Sequence, residues 1–361
     1  MKERRSLWGF CMGDIKSDNN IDCILITEAN EKVATGHLME IAELSALLNR
    51  ENIKTKTIVN YDMPAGLINR VAGEIEVCDG DVNDCVDQIA DIIRESSASV
   101  IVTDLREVKN EWVLSIKEKT GCILICIDEF GHRTLEADII INPMIDSYYW
   151  DYGNSKAKIY SGHEYLVLPE KIRLYHEKEK RINDKIENVC ISMGGVDYYG
   201  TTCKLARWLL NGENHGCQWN IVIGSAFKHL EELISVVDNS HSKVRVFQNI
   251  DYIYDLFYEA DVAFCAGGNT LHELACIGTP TITIPTMPHE FKNGKRYEEL
   301  GFGKCLEQTN EIKRNSIIWC NDDIMRSDIR HKLSCAGKKI CDGNGGRRML
   351  QIIKSTICNG I

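Results

Sequence analysis

The chain has no run of basic residues, no apolar stretch long enough to span a membrane and no Cys-x-x-Cys pair. Each absence removes a class of function. Nucleic-acid binding needs clustered Lys and Arg. Here 42 of them are scattered among 53 Asp and Glu, giving a formal net charge of -11, so no nucleic-acid partner is expected. A bilayer-crossing helix needs about 20 apolar residues; the runs present are far shorter, so no stable membrane insertion is expected. The polar stretch from Ser6 to Asn20 lacks the apolar core of a signal peptide, which makes the expected location cytoplasmic. Sixteen cysteines in a 361-residue chain with no export signal then read as reduced thiols. Several, including Cys23, Cys122, Cys126, Cys190 and Cys265, stand in apolar runs where cysteine packs as a small hydrophobe. Without a close thiol pair no metal site is expected. The chain also lacks a Walker sequence and the full dinucleotide fingerprint, which disfavours P-loop hydrolysis and bound NAD. No cofactor is expected.

What is present is an ordinary globular composition, 44% hydrophobic and 26% charged, in a chain longer than one hydrophobic core usually serves. Short β-branched runs alternate with amphipathic stretches. Strands are predicted at Cys23 to Thr27, Thr55 to Asn60, Ser99 to Thr103, Cys122 to Ile127 and Asp138 to Ile141. The charged, strand-poor stretch from Glu170 to Glu187 suits a solvated linker or an exposed helix. Strands resume at Asn188 to Met193, Trp219 to Gly224, Val244 to Phe247, Asp261 to Cys265 and Thr281 to Ile284. Alternation of this kind predicts α/β architecture: two Rossmann-like domains with mainly parallel sheets facing a cleft. The predicted division is 1–170, a linker over 171–187, and 188–361.

Open parallel sheets bind ligands beyond the carboxyl ends of their strands. Those ends are where this chain places its glycines. Cys265-Ala266-Gly267-Gly268-Asn269-Thr270-Leu271-His272-Glu273 joins a predicted strand to a predicted helix, so its glycines and the helix N-terminus could receive a phosphate. The same residues also fit a plain turn, with Thr270-x-x-Glu273 as a capping box. Gly194-Gly195 repeats the arrangement, and Gly224 ends another strand. In the first half, His37 stands in the first turn of a helix that Thr35 could cap, where the imidazole should be neutral and able to accept a proton. A surface histidine is the alternative. Asp104, Asp128 and Glu129 stand at strand ends, where they could orient a sugar or the histidine, or cap helices. His289-Glu290-Phe291-Lys292-Asn293 could supply polar contacts or begin a helix.

Taken with the second-half glycine turns, Thr35-Gly36-His37-Leu38-Met39 resembles the nucleotide-sugar hydrolases of pseudaminic acid biosynthesis, which have a two-domain GT-B fold like the MurG glycosyltransferases. The resemblance runs from about Cys23 to Gly301. It implies release of UDP from an amino-deoxy sugar, with His37 activating water for attack at the anomeric carbon and a UDP-sugar as the small-molecule partner. The implied substrate contacts are Gly36, Asp104, Arg106, Asp128, Glu290 and Asn293. The implied nucleotide contacts are Gly267, Gly268, Asn269, Thr270 and Glu273, to which position at strand ends adds Gly194, Gly195 and Gly224. The chain departs from the family pattern at Glu40, where arginine is usual, at Asp104-Leu105-Arg106 in place of Asp-x-Tyr, at Asp128-Glu129 in place of Asp-Asp, and at Glu290 in place of glutamine. A GT-B glycosyltransferase and a non-catalytic nucleotide-sugar binder are the alternative readings.

Overall fold

The computed structural model describes residues 21–29, 36–60, 68–127, 136–195, 197–210, 216–224, 226–250, 252–306, 324 and 326–360. Its first sheet has seven strands: β1 (Cys23–Thr27), β2 (Thr55–Val59), β3 (Glu74–Val77), β4 (Val100–Asp104), β5 (Ile123–Ile127), β6 (Ile139–Asn142) and β7 (Lys158–Ser161), in the order β3-β2-β1-β4-β5-β6-β7. The second sheet holds β8 (Asn188–Ser192), β9 (Gln218–Ile223), β10 (Lys243–Gln248), β11 (Val262–Cys265), β12 (Thr281–Thr283) and β13 (Lys304–Cys305), in the order β10-β9-β8-β11-β12-β13. Every pairing in both sheets is parallel. Each sheet therefore reverses its winding at one point, between β1 and β4 in the first and between β8 and β11 in the second. A ligand crevice opens at such a point.

Parallel strands need helical crossovers, so both faces of each sheet become covered and the strands read as nearly continuous apolar runs. In the first half α1 (Gly36–Arg50) lies on one face, while α2 (Val86–Arg94) and α3 (Asn110–Thr120) lie on the other. The side chains of β1 show the alternation: Cys23 and Leu25 pack with Ile41, Leu44 and Leu48 of α1, whereas Ile24 and Ile26 pack on the side of Ile89, Trp112 and Ile116. From the first half α4 (Glu170–Glu177) leads across, and its Ile172 is buried in the core of the second sheet. The second half adds α5 (Thr201–Leu209), α6 (Leu230–Asp238), α7 (Ile253–Glu259), α8 (Asn269–Ile277), α9 (Pro288–Glu299) and α10 (Ser327–Ile340). Cysteines do pack as small hydrophobes: Cys190 and Cys265 are fully buried in its core, and the cysteines of the described residues are free thiols.

Part of the connection between halves is helix and the rest is tied to the second sheet. Asp261 accepts from Asn183 Nδ2 at 2.9 Å and from the amides of Glu187 and Asn188 at 2.8 and 2.9 Å. The guanidinium of the fully buried Arg330 donates to the carbonyls of Asp184 and Ile324. The last helix, α11 (Gly345–Asn359), then returns to the first sheet, where Met349, Leu350 and Ile353 join the core formed by β1, β4 and α1. Residues 345–359 fall in the segment assigned from sequence to the second domain, and the packing places them on the first. Glu170 clamps this return: Arg50 of α1 and Arg347 of α11 both donate to its carboxylate, which holds its pKa below the usual range.

Ile353 is completely buried between α11 and the first sheet. Ile353→Ala is expected to lower unfolding free energy by about 2–5 kcal/mol, the usual cost of emptying such a site. Urea titration followed by circular dichroism checks it, and a loss under about 0.5 kcal/mol, the range typical of surface sites, would show that α11 is not part of the core.

Candidate functional site

At the first switch point the residues that matter are side chains. β1 and β4 pair in register with Thr27 opposite Asp104, so both strands end at the same level. His37 is the second residue of α1, which follows β1, and its ring lies back over that edge. Its Nδ1 is 2.7 Å from Asp104 Oδ1, and both side chains are buried. An ionised Asp104 holds the proton on Nδ1 and leaves Nε2 with its lone pair, which is the tautomer a general base needs. Asp104 Oδ2 is also buried and has no hydrogen-bond partner among the described residues. Glu28, the residue after β1, is buried as well, and its Oε1 accepts from the Arg106 amide at 2.8 Å. Asn60, after β2, completes the edge by accepting from the Ala29 amide at 2.9 Å and donating to the Ala29 carbonyl at 3.1 Å.

At the second switch point the material is backbone. Gly267, after β11, has φ of +108°, and a Cβ there would lie 2.6 Å from the Glu290 carbonyl oxygen. Only glycine fits that turn. Gly268 is the N-cap of α8, and a Cβ on it would meet nothing within 4 Å, so its outer side is open. The first amides of α8, at Asn269 and Thr270, have no acceptor within the helix, and the dipole adds positive character there. Gly194 and Gly195 follow β8; a Cβ on Gly224 would come 2.2 Å from the Gly195 carbonyl oxygen. The loops after β8 and β9 thus touch backbone to backbone.

The two edges face one another across a cleft. A Cβ placed on Gly36 would be 3.9 Å from Nδ2 of Asn269, which puts the start of α1 against the start of α8. On one rim Lys292 of α9 reaches Asp146 of the first half at 2.6 Å and lies over the Trp150 ring. Between α1, the crossing helix and the start of α7 lies a cavity of about 710 Å³ whose lining includes Met39, Arg70, Lys171, Arg173, Ile253 and Tyr254. Its walls combine four cations, Arg50 among them, and the acids Glu43 and Glu170 with apolar surface. Tyr254 connects it to α8 by donating to Glu273 Oε1 at 3.3 Å. Burial pushes the Glu273 carboxyl up to about 7, against the smaller opposing effect of that hydrogen bond.

Several sequence-predicted residues are therefore gathered together: Gly36, His37 and Asp104 on one side, Gly267, Gly268, Asn269, Thr270 and Glu273 on the other. Others have different placements. Thr270 does not cap α8: the N-cap is Gly268, no side chain caps it, and Glu273 bonds to Tyr254. Glu290 is the third residue of α9 and caps its start, its Oε2 accepting from the amides of Thr286 and Met287 and from the Thr286 hydroxyl at 2.8 to 2.9 Å. Asn293 is buried and donates to the Gly267 carbonyl at 3.2 Å, so it supports the glycine turn from behind. Arg106 is exposed, with its amide on Glu28. Asp128 lies outside the described residues, as do Glu129 and Thr35. Sequence reasoning missed Glu28 and the cavity cations; the only local signal for Glu28 is an acid directly after an apolar strand.

The chain matches no family profile. It is 24% identical over 268 residues to the spore coat polysaccharide biosynthesis protein SpsG of Bacillus subtilis, covering 73% of this chain and 78% of that protein. Over 273 residues it is 23% identical to the uncharacterized protein MJ1062 of Methanocaldococcus jannaschii, covering 72% of this chain but only 54%, about half, of that relative's length. A shorter stretch of 96 residues, 26% of this chain and 27% of the relative, is 31% identical to the UDP-N-acetylglucosamine--N-acetylmuramyl-(pentapeptide) pyrophosphoryl-undecaprenol N-acetylglucosamine transferase of Baumannia cicadellinicola. Among solved structures, MurG of Acinetobacter baumannii superposes with a TM-score of 0.68 at 12% identity, covering 92% of this chain and 99% of that one. The fold is GT-B. Two parallel sheets that share one strand order over six strands, the first carrying a seventh, with their switch points facing each other, are its defining arrangement in this chain. Among the described residues no helix is long and apolar enough to cross a membrane, and no group of His, Cys, Asp and Glu could hold a metal ion.

The Glu273 carboxyl gives a pH test with a definite sign. Its folded pKa, about 7, exceeds its ordinary value near 4.5. Below the lower value it is protonated in both states and costs nothing; as pH rises through this window the unfolded carboxyl ionises first, so the native state loses stability. Glu273→Gln should therefore raise Tm at pH 8 and leave it unchanged at pH 4. A thermal melt at both pH values checks this, and an equal shift at both would remove ionisation as the cause.

Proposed function

We propose that this chain is a nucleotide-sugar-dependent enzyme of glycosyl transfer, with the donor diphosphate at the Gly267-Gly268 turn and an acceptor hydroxyl deprotonated by His37. The single observation that carries the reading is the buried 2.7 Å pair of His37 Nδ1 and Asp104 Oδ1, opposite a glycine turn that opens a helix. In the reaction, the acceptor oxygen forms a bond to the anomeric carbon while its proton passes to His37 Nε2 and Asp104 balances the new imidazolium. The bond from that carbon to the diphosphate breaks, and the charge left on the leaving diphosphate meets the amides at the start of α8. In this reading the nucleoside occupies the cavity beside Tyr254, and Glu273, bonded to that tyrosine, accepts from ribose hydroxyls.

Transfer to a hydroxyl is supported by the likeness to the N-acetylglucosamine transferase and to MurG, and the similarity to SpsG supports a place in polysaccharide biosynthesis. Hydrolysis is the second reading, favoured by the Gly36-His37-Leu38-Met39 signature. The same base would serve water, and the amino-deoxy sugar of the pseudaminic acid type would be its substrate. A cytoplasmic setting and UDP as the nucleotide belong to both readings.

Incubation with a panel of UDP-sugars, with and without hydroxyl acceptors, separates the two. Transfer predicts UDP release that an acceptor accelerates at least tenfold; hydrolysis predicts acceptor-independent release. His37→Ala should lower either rate by about 10²–10⁴, the usual worth of a positioned base. Full turnover in that variant contradicts the mechanism, and saturable UDP binding without turnover for any donor leaves a binding protein.

A further inference from the structure

The buried acid after β1 is not explained by folding alone. Strand ends on this edge are already tied by the Asn60–Ala29 pair, yet Glu28 adds a second buried carboxylate, held by the Arg106 amide, on which both Asp104 and His37 act electrostatically. Because Thr27 and Asp104 are directly opposite, Glu28 stands one residue beyond that level, and its bond to the Arg106 amide draws its carboxylate across the end of β4. The groups that act on it come from three other elements: His37 of α1, Asp104 of β4 and Asp81 from the segment after β3. Burial raises its carboxyl most; the Arg106 amide and His37 draw it down, and the two aspartates push it up. Glu40, on the next turn of α1, is a further buried acid of that helix.

We infer that Glu28 is a positioning residue for the base: it holds the chain beyond Asp104 and sets a second negative charge near His37, so that two acids stabilise the imidazolium formed in the reaction. The inference rests on the reading of His37 as the base. A neutral histidine facing two carboxylates becomes a stronger base, because each favours its protonated form. Removing one charge should weaken the base without disturbing the donor turn on the other side of the cleft.

Glu28→Gln isolates the charge, since its amide oxygen can still accept from Arg106. Glu28→Asp keeps the charge and shortens the reach. The test is kcat/KM against pH for UDP release by the full chain, with UDP affinity measured by calorimetry. For Glu28→Gln the expected result is UDP affinity within about twofold of the parent, the acidic limb moved to lower pH by about one unit, and the plateau lowered about tenfold. Glu28→Asp should keep the limb in place with a reduced plateau. If Glu28→Gln fails to fold, the Glu28→Asp profile alone decides: a limb displaced to lower pH overturns the charge role. A Glu28→Gln profile superimposable on the parent overturns the inference while His37 remains the base. No loss of rate in His37→Ala overturns both, which distinguishes the two failures.

Discussion

Parallel pairing is the constraint on which everything else in this molecule depends. Strands that all run one way end at one edge, and each must be followed by a crossover that begins there. The start of α1, the end of β4 and the residues after them are therefore brought together at the first sheet, and the glycine turns after β8, β9 and β11 at the second. The order reverses once in each sheet, between β1 and β4 and between β8 and β11. The crossovers on either side diverge from those points, and the room they leave is where His37 and Gly268 stand.

The two halves use that room differently. In the first, the edge is lined by ionisable side chains held by burial and mutual bonding: His37 on Asp104, Glu28 on the Arg106 amide. Their charges are strong because water is largely excluded. In the second, the surface is backbone, shaped by glycines whose missing side chains admit Glu290 at one contact and Gly195 at another. Backbone amides suit a diphosphate because they offer donors without any charge that must be desolvated. What joins the halves is similarly divided. The Glu170 carboxylate between Arg50 and Arg347 fixes the side near α11, while Lys292 on Asp146 and Trp150 spans the opposite rim.

The central strands were legible because they are buried on both faces and hence almost wholly β-branched or apolar: Cys-Ile-Leu-Ile-Thr for β1, Val-Ile-Val-Thr-Asp for β4. Three outer strands were not. β3 reads Glu-Ile-Glu-Val and is largely exposed, β7 begins with an exposed Lys-Ile, and β13 has two residues, so none carries the buried pattern. His37 and the Gly267-Gly268 turn could be found from residue type and position, since both sit where a strand gives way to a helix. Glu28, Asn293 and the cavity cations could not, because their meaning depends on partners 26 or more residues away, such as Arg106 for Glu28 and Gly267 for Asn293. The return of α11 to the first sheet belongs to the same class: its apolar stripe reveals a buried face, but not which sheet covers it.

The central claim is that one site is built from both halves, chemistry on the first and diphosphate recognition on the second. A structure with a bound UDP-sugar tests it most directly. The account predicts the β-phosphate within hydrogen-bonding distance of the amides at the start of α8, the nucleoside in the cavity by Tyr254 with its ribose on Glu273, and the anomeric carbon facing His37 Nε2. A nucleotide bound away from the Gly267-Gly268 turn, or a sugar directed away from His37, would contradict it.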